Sequence, residues 1–369
     1  MVRDVGSDLI FFSNDLKSNQ ARNKAEEKEK RLVELLKLFS PGTSIRTALD
    51  DMMRARMGAL IAVDKKGFFN IVDGGFRVNC KFSPQRLVEL AKMDGAIILS
   101  NDLKKIIYAN TLLVPDMKVG TSETGTRHKA AERTSKQINT LVIAVSERKN
   151  KITLYWGDIC YVLERSSEIL RRAAETLQIL EKQKEISDDS ISNLNILEIN
   201  NLVTISDVCN VLQRVEAVKR ISNKVKRYLV ELGREGIIVS MRLKELTKNL
   251  KKERLMILQD YFGGADIQSE RILTQMNFDD LLETSNLSKE LFGEVHDKSI
   301  SPQGLRILSK TNLDEKNVKL LIDRFKTLEK IFEVDKSELI EALEDEENVD
   351  SLRRDLESLR EKILVGKKI

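Results

Sequence analysis

The stretch Gly120-Thr-Ser-Glu-Thr-Gly-Thr-Arg-His-Lys-Ala-Ala-Glu-Arg133 gathers glycines, hydroxyls and cations in front of a run with helical composition. Gly120 and Gly125 let a backbone approach a ligand closely. From Thr126 onward the composition predicts a helix, so Arg127, His128 and Lys129 fall in its first turn. Unpaired N–H groups and the positive end of the helix dipole favour an anion there. The chemistry on offer is that of a polyphosphate cradle. From spacing alone, an ordinary capped surface helix with solvated charges is the alternative, although cations at a helix N-terminus oppose the dipole and call for a compensating anion.

A second candidate lies upstream in Lys92-Met-Asp-Gly-Ala-Ile-Ile-Leu99. Asp94 and Gly95 stand at the entrance of an apolar run that reads as a buried strand. A carboxylate at a strand edge beside a close-approach glycine can bind a metal or activate a hydroxyl, whereas an isolated Asp-Gly pair is also a common turn.

These residues need a scaffold, and the order of apolar runs and breakers predicts an α/β domain with a mixed sheet flanked by helices over residues 1–158. Met1 to Lys30 reads as a charged lead-in helix, and Leu32, Leu35, Leu36 and Phe39 continue at helical spacing until Pro41-Gly42. A helix over Ser44–Arg56, a strand at Ala59–Val63 and a turn at Asp73-Gly74-Gly75 follow. Ser83 and Pro84 read as N-cap and first helical residue of a helix reaching Ala91. Strands are expected at Gly95–Leu99 and Ile106–Tyr108. After the cradle helix, Leu141–Val145 and Ile152–Trp156 form a hairpin around Glu147-Arg-Lys-Asn150, and Gly157-Asp158 closes the domain.

Beyond that point the punctuation changes. Three of four prolines and ten of seventeen glycines lie at or before Gly157, and Asp158–Leu232 has neither, which favours long helices. Leu163, Leu170 and Leu177 recur at heptad spacing. Val208, Leu212, Val215, Val218, Val225 and Leu229 form a second stripe ending at Gly233, with Gln183–Asp189 read as a polar connection between the two. Residues 159–300 are thus expected to be an all-α helical spine with a role in self-association. Ser301-Pro302 is expected to open a third region, residues 301–369, of short helices.

Composition bounds the function. Charged residues make up 33% and hydrophobic residues 41% of 369, a globular balance consistent with two or three domains. No apolar run approaches the ~20 residues of a membrane span, and no secretory leader is legible, so no membrane partner is expected. Cys80, Cys160 and Cys209 lack metal or disulfide spacing, which suggests the reducing cytoplasm. With only His128 and His296 available, any metal should be a hard cation on oxygen ligands, Mg²⁺ or Mn²⁺. The net charge of +4 permits nucleic-acid binding without arguing for it.

Asp94-Gly-Ala96 followed by Ser122-Glu-Thr-Gly-Thr-Arg-His128 resembles the paired Asp-Gly-Ala and Arg-His-Arg signature of the diadenylate cyclase family. Pro41-Gly-Thr43, Val72-Asp-Gly-Gly-Phe76, Phe82-Ser-Pro84, Tyr108-Ala-Asn110 and Ile152-Thr-Leu-Tyr155 are similar to the same family. The resemblance runs from about Leu32 to the C-terminus. It implies condensation of two ATP into cyclic di-AMP with release of two pyrophosphates, and a link to DNA integrity scanning. Asp94, Arg127 and His128 would be catalytic, with Asp94 also holding the metal. Gly95, Leu113, Thr126, Arg127, His128, Lys129 and Ala130 would bind ATP; Ser122 and Thr124 would add hydroxyls and Glu147 a second acid. Lys129 departs from the usual arginine and loses its two-pronged donor.

One such constellation per chain cannot serve two nucleotides, so two domains should meet across a two-fold axis. The resemblance extends this homo-oligomer to an octamer. In order and position the last region resembles a helix-hairpin-helix DNA-binding module, but Glu344-Asp-Glu-Glu-Asn348 stands where hairpin glycines belong, which puts DNA binding in doubt. Arg353, Arg354, Lys367 and Lys368 supply some positive charge nearby. The competing readings are an ATP or phosphate sensor without turnover and a DNA-binding scaffold.

Overall fold

A computed structural model describes residues 28, 30–263, 266–293 and 298–365. Most of the lead-in before residue 30, together with His296, Lys367 and Lys368, lies outside the described residues. Contacts divide the chain into two units, Met1–Ala173 with Arg227–Ile238, and Ala174–Lys226 with Val239–Ile369.

The first unit is built on an eight-stranded mixed sheet. Its strands are β1 (Ala59–Val63), β2 (Val72–Asp73), β3 (Phe76–Lys81), β4 (Ala96–Leu99), β5 (Lys105–Leu113), β6 (Leu141–Ser146), β7 (Lys151–Trp156) and β8 (Ile159–Leu163). The order is β2-β5-β4-β1-β6-β7-β8, with β3 also paired to β5, and only β1 and β4 run parallel. Every residue of β1 and β6 is buried, because both faces of the sheet are covered. Ile61, Ile143, Val145 and Leu154 pack under α1 (residues 30–38), α2 (Ser44–Arg54) and α3 (Pro84–Leu90). On the other face Leu60, Ala62, Val142, Ala144 and Tyr155 pack with Ala131 of α4 (Thr126–Ile138). Ser83 caps α3 as its sequence predicts, accepting from the Arg86 amide at 3.3 Å.

The expected end of this domain at 158 falls inside a hairpin. Trp156 pairs with Ile159, which leaves Gly157, at φ +59, and Asp158 as a two-residue turn, so the sheet runs on to Leu163. Leu163 therefore belongs to a strand rather than to a helical stripe. Helix α5 (Ser166–Ile199) then continues straight through Gln183–Asp189, where a connection is predicted. Its buried heptad track is Ala173, Leu180, Ser187 and Leu194, three positions away from the Leu163–Leu170–Leu177 register, and Leu170 is exposed. The charged residues of that segment lie outside the buried track, paired as Lys182–Glu185 and Lys184–Asp188. Helix α6 (Ile205–Leu232) carries the predicted stripe, with Val208, Leu212, Val215, Val218 and Val225 all buried.

The remaining helices are α7 (Ile237–Leu246), α8 (Leu250–Phe262), α9 (Asp266–Gln275), α10 (Phe278–Leu282), α11 (Thr284–Phe292), α12 (Leu305–Leu308), α13 (Glu315–Phe325), α14 (Leu328–Glu333), α15 (Lys336–Leu343) and α16 (Glu346–Leu364). Ser301-Pro302 does not open a helix. Helix α12 starts at Leu305 after Gly304, at φ +104, because the buried Asp260 carboxylate of α8 accepts from the amides of Gly304, Leu305 and Arg306 at 2.9, 2.6 and 2.8 Å. Burial and the Glu198 carboxylate push Asp260 up to about 7, against those amides and the guanidinium of Arg306. The fully buried Arg306 also donates to Glu198 and Glu253. Removing one member of such a network strands a buried charge.

The two turns joining α13 to α14 and α15 to α16 each contain a non-glycine residue at positive φ, Lys326 at +67° and Glu344 at +54°. A left-handed L-residue costs about 1 kcal/mol relative to glycine. Glu344→Gly should therefore raise stability by about 0.5–1 kcal/mol. Denaturant titration of the full chain by far-ultraviolet dichroism checks this, and an unchanged or lower midpoint would show that the turn is not strained.

Candidate functional site

The parallel pairing of β1 with β4 aligns Leu60 with Ala96 and Ile61 with Ile97. Gly58 immediately precedes β1 and Asp94-Gly95 immediately precedes β4, so the parallel pairing puts all three at the same end of the sheet. Two glycines let other groups close in at this end of the sheet. Gly95 has φ +88, and a Cβ on it would meet the Thr111 carbonyl oxygen at 2.8 Å. The backbone of β5, the antiparallel neighbour of β4, thus packs against Gly95, fastened by the buried Thr111 hydroxyl, which donates to the Ala96 carbonyl at 2.9 Å. Asp94 is left exposed at the mouth. A Cβ on Gly58 would lie 2.2 Å from Nη1 of Arg127, so the guanidinium lies over the bare glycine backbone. Asp94 and Arg127 consequently share one end of the sheet.

Helix α4 begins at Thr126 with Gly125 as its N-cap, and Gly125 makes no side-chain cap bond. Arg127, His128 and Lys129 occupy its first turn. His128 is half-buried, edge-on to Tyr155 with ring centroids 6.5 Å apart. Burial holds its pKa below the ordinary value; Glu123 pulls the other way, while Lys149 and Arg127 reinforce the shift. At neutral pH it presents an uncharged imidazole.

The glycine-rich loop is tied back onto α4 by a carboxylate. Glu132, only 6% exposed, accepts from the Thr121 hydroxyl at 2.5 Å, the Ser122 amide at 3.0 Å and Lys136 Nζ at 2.7 Å. Those donors lower its pKa despite the opposing effect of burial, the largest single influence. Lys136 also donates to the Gly120 carbonyl, and Arg133 to the Val119 carbonyl. At the loop tip, Glu123 accepts from the Tyr155 hydroxyl at 2.7 Å. Burial, with help from Glu123, drives the Tyr155 phenol far above its usual range, so it stays protonated and donates.

Of the residues singled out by motif, Asp94, Gly95, Arg127 and His128 cluster at this end, with Lys129 and Ala130 following in the same helix. Ser122 and Thr124 are exposed on the loop. Leu113 is buried in the core with Phe68, Ala96 and Ala131. Glu147 lines a cavity on the α2 side of the sheet. Sequence reasoning passes over Gly58, Glu123, Glu132 and Tyr155. The Glu132–Lys136 spacing marks an i,i+4 pair, but nothing in the pattern signals a carboxylate reaching back to Thr121 and Ser122. Among the described residues no group of three or more His, Cys, Asp or Glu could hold a metal ion.

Residues 46–159 match the family model described as DisA bacterial checkpoint controller nucleotide-binding, and residues 163–297 match the DisA bacterial checkpoint controller linker region. The chain is 42% identical over 322 residues to the DNA integrity scanning protein DisA of Acetivibrio thermocellus, covering 85% of this chain and 89% of that protein. It is 42% identical over 353 residues to the DisA of Clostridium kluyveri, covering 93% of this chain and 99% of the relative. With an α/β nucleotide-binding domain preceding a helical linker, and such identity over nearly the full length of these relatives, the chain belongs to the DisA family of DNA integrity scanning proteins.

Proposed function

We propose that the chain is a diadenylate cyclase that converts two ATP into cyclic di-AMP and two pyrophosphates. Each ribose 3′-hydroxyl attacks the α-phosphorus of the other nucleotide. One P–O bond forms, the bond to the bridging oxygen of the β-phosphate breaks, and pyrophosphate leaves with the electron pair. The observation that carries this reading is the Arg127 guanidinium lying over Gly58, just before β1, at the same end of the sheet as Asp94, just before β4. Asp94 takes the proton of the attacking hydroxyl. Arg127 stabilises charge on the α-phosphate and leaving group, while the free amides at the start of α4 and Lys129 bind the remaining phosphates. His128, uncharged, orients the phosphate segment without adding to the repulsion among its cationic neighbours.

Asp94 has the hard oxygen donors that suit Mg²⁺ or Mn²⁺, with phosphate oxygens completing the set, and a bound ion would supply charge neutralisation. The sequence carries this pair of motifs once, so two domains face each other across a two-fold axis, with an octamer as the full assembly and the helical region joining its parts. Cys80, Cys160 and Cys209, none of them in a disulfide, fit a cytoplasmic setting. No helix among the described residues is long and apolar enough to cross a membrane.

DNA contact by the last helices is the weaker part of the reading. The Asp345 side chain accepts from the amides of Glu347 and Asn348 at 2.9 and 3.4 Å, so the chain's own carboxylate fills a position where a phosphate would dock. Asp314 does the same at the start of α13, accepting from Asn317 at 2.9 Å.

Three outcomes test these assignments. Asp94→Asn should retain the fold and ATP binding but lose turnover, at least ~10²-fold in product analysis by chromatography; wild-type turnover would remove Asp94 from the mechanism. Glu132→Gln should weaken the loop's attachment to α4 by about 1–3 kcal/mol. Its signature is faster amide hydrogen exchange confined to residues 117–124, with KM for ATP raised, and unchanged exchange there would deny Glu132 its role. Residues 301–369 should give the protein only weak DNA affinity that falls steeply with salt. Replacing Asp345-Glu346-Glu347 with Gly-Ile-Gly should strengthen it in fluorescence anisotropy titrations, and tight binding of branched DNA by the unaltered chain would contradict this.

A further inference from the structure

The first unit holds a second cationic cavity, of about 780 Å³, on the α2 face of the sheet. Arg46 and Arg54 of α2, Arg56 just after it, Arg148 of the β6–β7 turn and Arg165 beyond β8 all line it. The residues come from three separate stretches of the chain, 46–56, 147–152 and 163–165, and the topology brings them together. Three carboxylates also line the cavity, but two are already engaged. Asp50 accepts from Arg46 Nε at 3.0 Å, and Glu164 from Arg172 at 2.9 Å. Arg56, Arg148 and Arg165 have no ion-pair partner among the described residues.

Arg46 is the decisive residue. It is only 3% exposed, and although Nη2 donates to the Glu164 carbonyl at 2.8 Å, Nη1 is buried without a hydrogen-bond partner among the described residues. A buried charged donor left unpaired is costly, and an arriving acceptor removes that cost. Guanidinium groups present planar forks of donors that match phosphate oxygens. A neutral ligand would leave the surplus cations uncompensated.

We infer that this cavity binds a phosphate-bearing anion of pyrophosphate size or larger, at a site separate from the α4 cradle. The separation follows from the layers. The cradle helix packs with Val142 and Ala144, whereas α2 packs on the opposite face with Ile143 and Val145. The two sites nevertheless open at the same end of the sheet, since Arg56 lies two residues before Gly58, where the Arg127 guanidinium rests. The ligand is either a free polyphosphate or the tail of a nucleotide held by the cradle. Neither source requires that the protein cyclise ATP, so the inference stands apart from the reading above.

Isothermal titration of pyrophosphate into the full-length protein tests it. Arg127→Ala weakens the cradle and isolates the second site. Arg148→Ser and Arg165→Ser are then added at exposed positions, leaving the buried Arg46 in place. One pyrophosphate per chain should bind Arg127→Ala protein, and the triple variant should bind at least about tenfold more weakly, with an unchanged melting curve. No binding to Arg127→Ala protein, or equal affinity in the triple variant, would overturn the inference. A non-hydrolysable ATP analogue added to the wild type distinguishes the sources: loss of the second pyrophosphate site identifies the tail of the cradle nucleotide, and its retention identifies a free anion.

Discussion

The parallel pairing of β1 with β4 is the constraint on which the site depends. It is the only parallel pair among the described strands, and it brings the entrances of β1 and β4, with Gly58 and Asp94 just before them, to the same end of the sheet. Each entrance has a glycine whose missing side chain is used. Over Gly95 the β5 backbone closes down and leaves Asp94 facing outward, and over Gly58 the Arg127 guanidinium comes to rest. An alanine at either position would displace the group that lies there. Position 95 would also carry the cost of a left-handed backbone.

A loop of glycines and hydroxyls cannot hold its own shape, and here polar contacts from α4 and β7 do so. The buried Glu132 gathers Thr121, Ser122 and Lys136, while Tyr155 holds Glu123 at the loop tip. Both carboxylates lie behind or beside the mouth and are occupied by donors. Their negative charge partly offsets the cations in the first turn of α4, which would otherwise oppose the helix dipole. The start of α4 is therefore braced by these contacts while Arg127 stays exposed, an arrangement that suits the proposed charge stabilisation of a transferring phosphate.

Local signals were legible where they act within a few residues. Ser83-Pro84 caps α3, Glu147-Arg-Lys-Asn150 turns the β6–β7 hairpin, and Gly125 precedes α4. Distant partners decide the rest. Gly157-Asp158 has the composition of a domain end, yet another strand pairs beyond it. Gln183–Asp189 is polar enough for a linker, but a buried track through Ser187 keeps it helical. Ser301-Pro302 has the look of a helix start, but the cap for α12 comes from Asp260, more than forty residues earlier. The same limit applies to the site. The motif residues stand out in the sequence, whereas Gly58 matters only because β1 pairs with β4, and Arg46 gains significance only when two further segments converge on it.

The central claim is that one chain supplies half of a reaction centre and that two chains must meet. It is tested most directly by specific activity with ATP and Mn²⁺ across a dilution series, with the mass of the assembly followed in parallel by light scattering. Activity per chain should collapse as the assembly dissociates, and mixing in Asp94→Asn chains should depress it by more than their share. Activity strictly proportional to protein, down to a demonstrated monomer, would contradict the account.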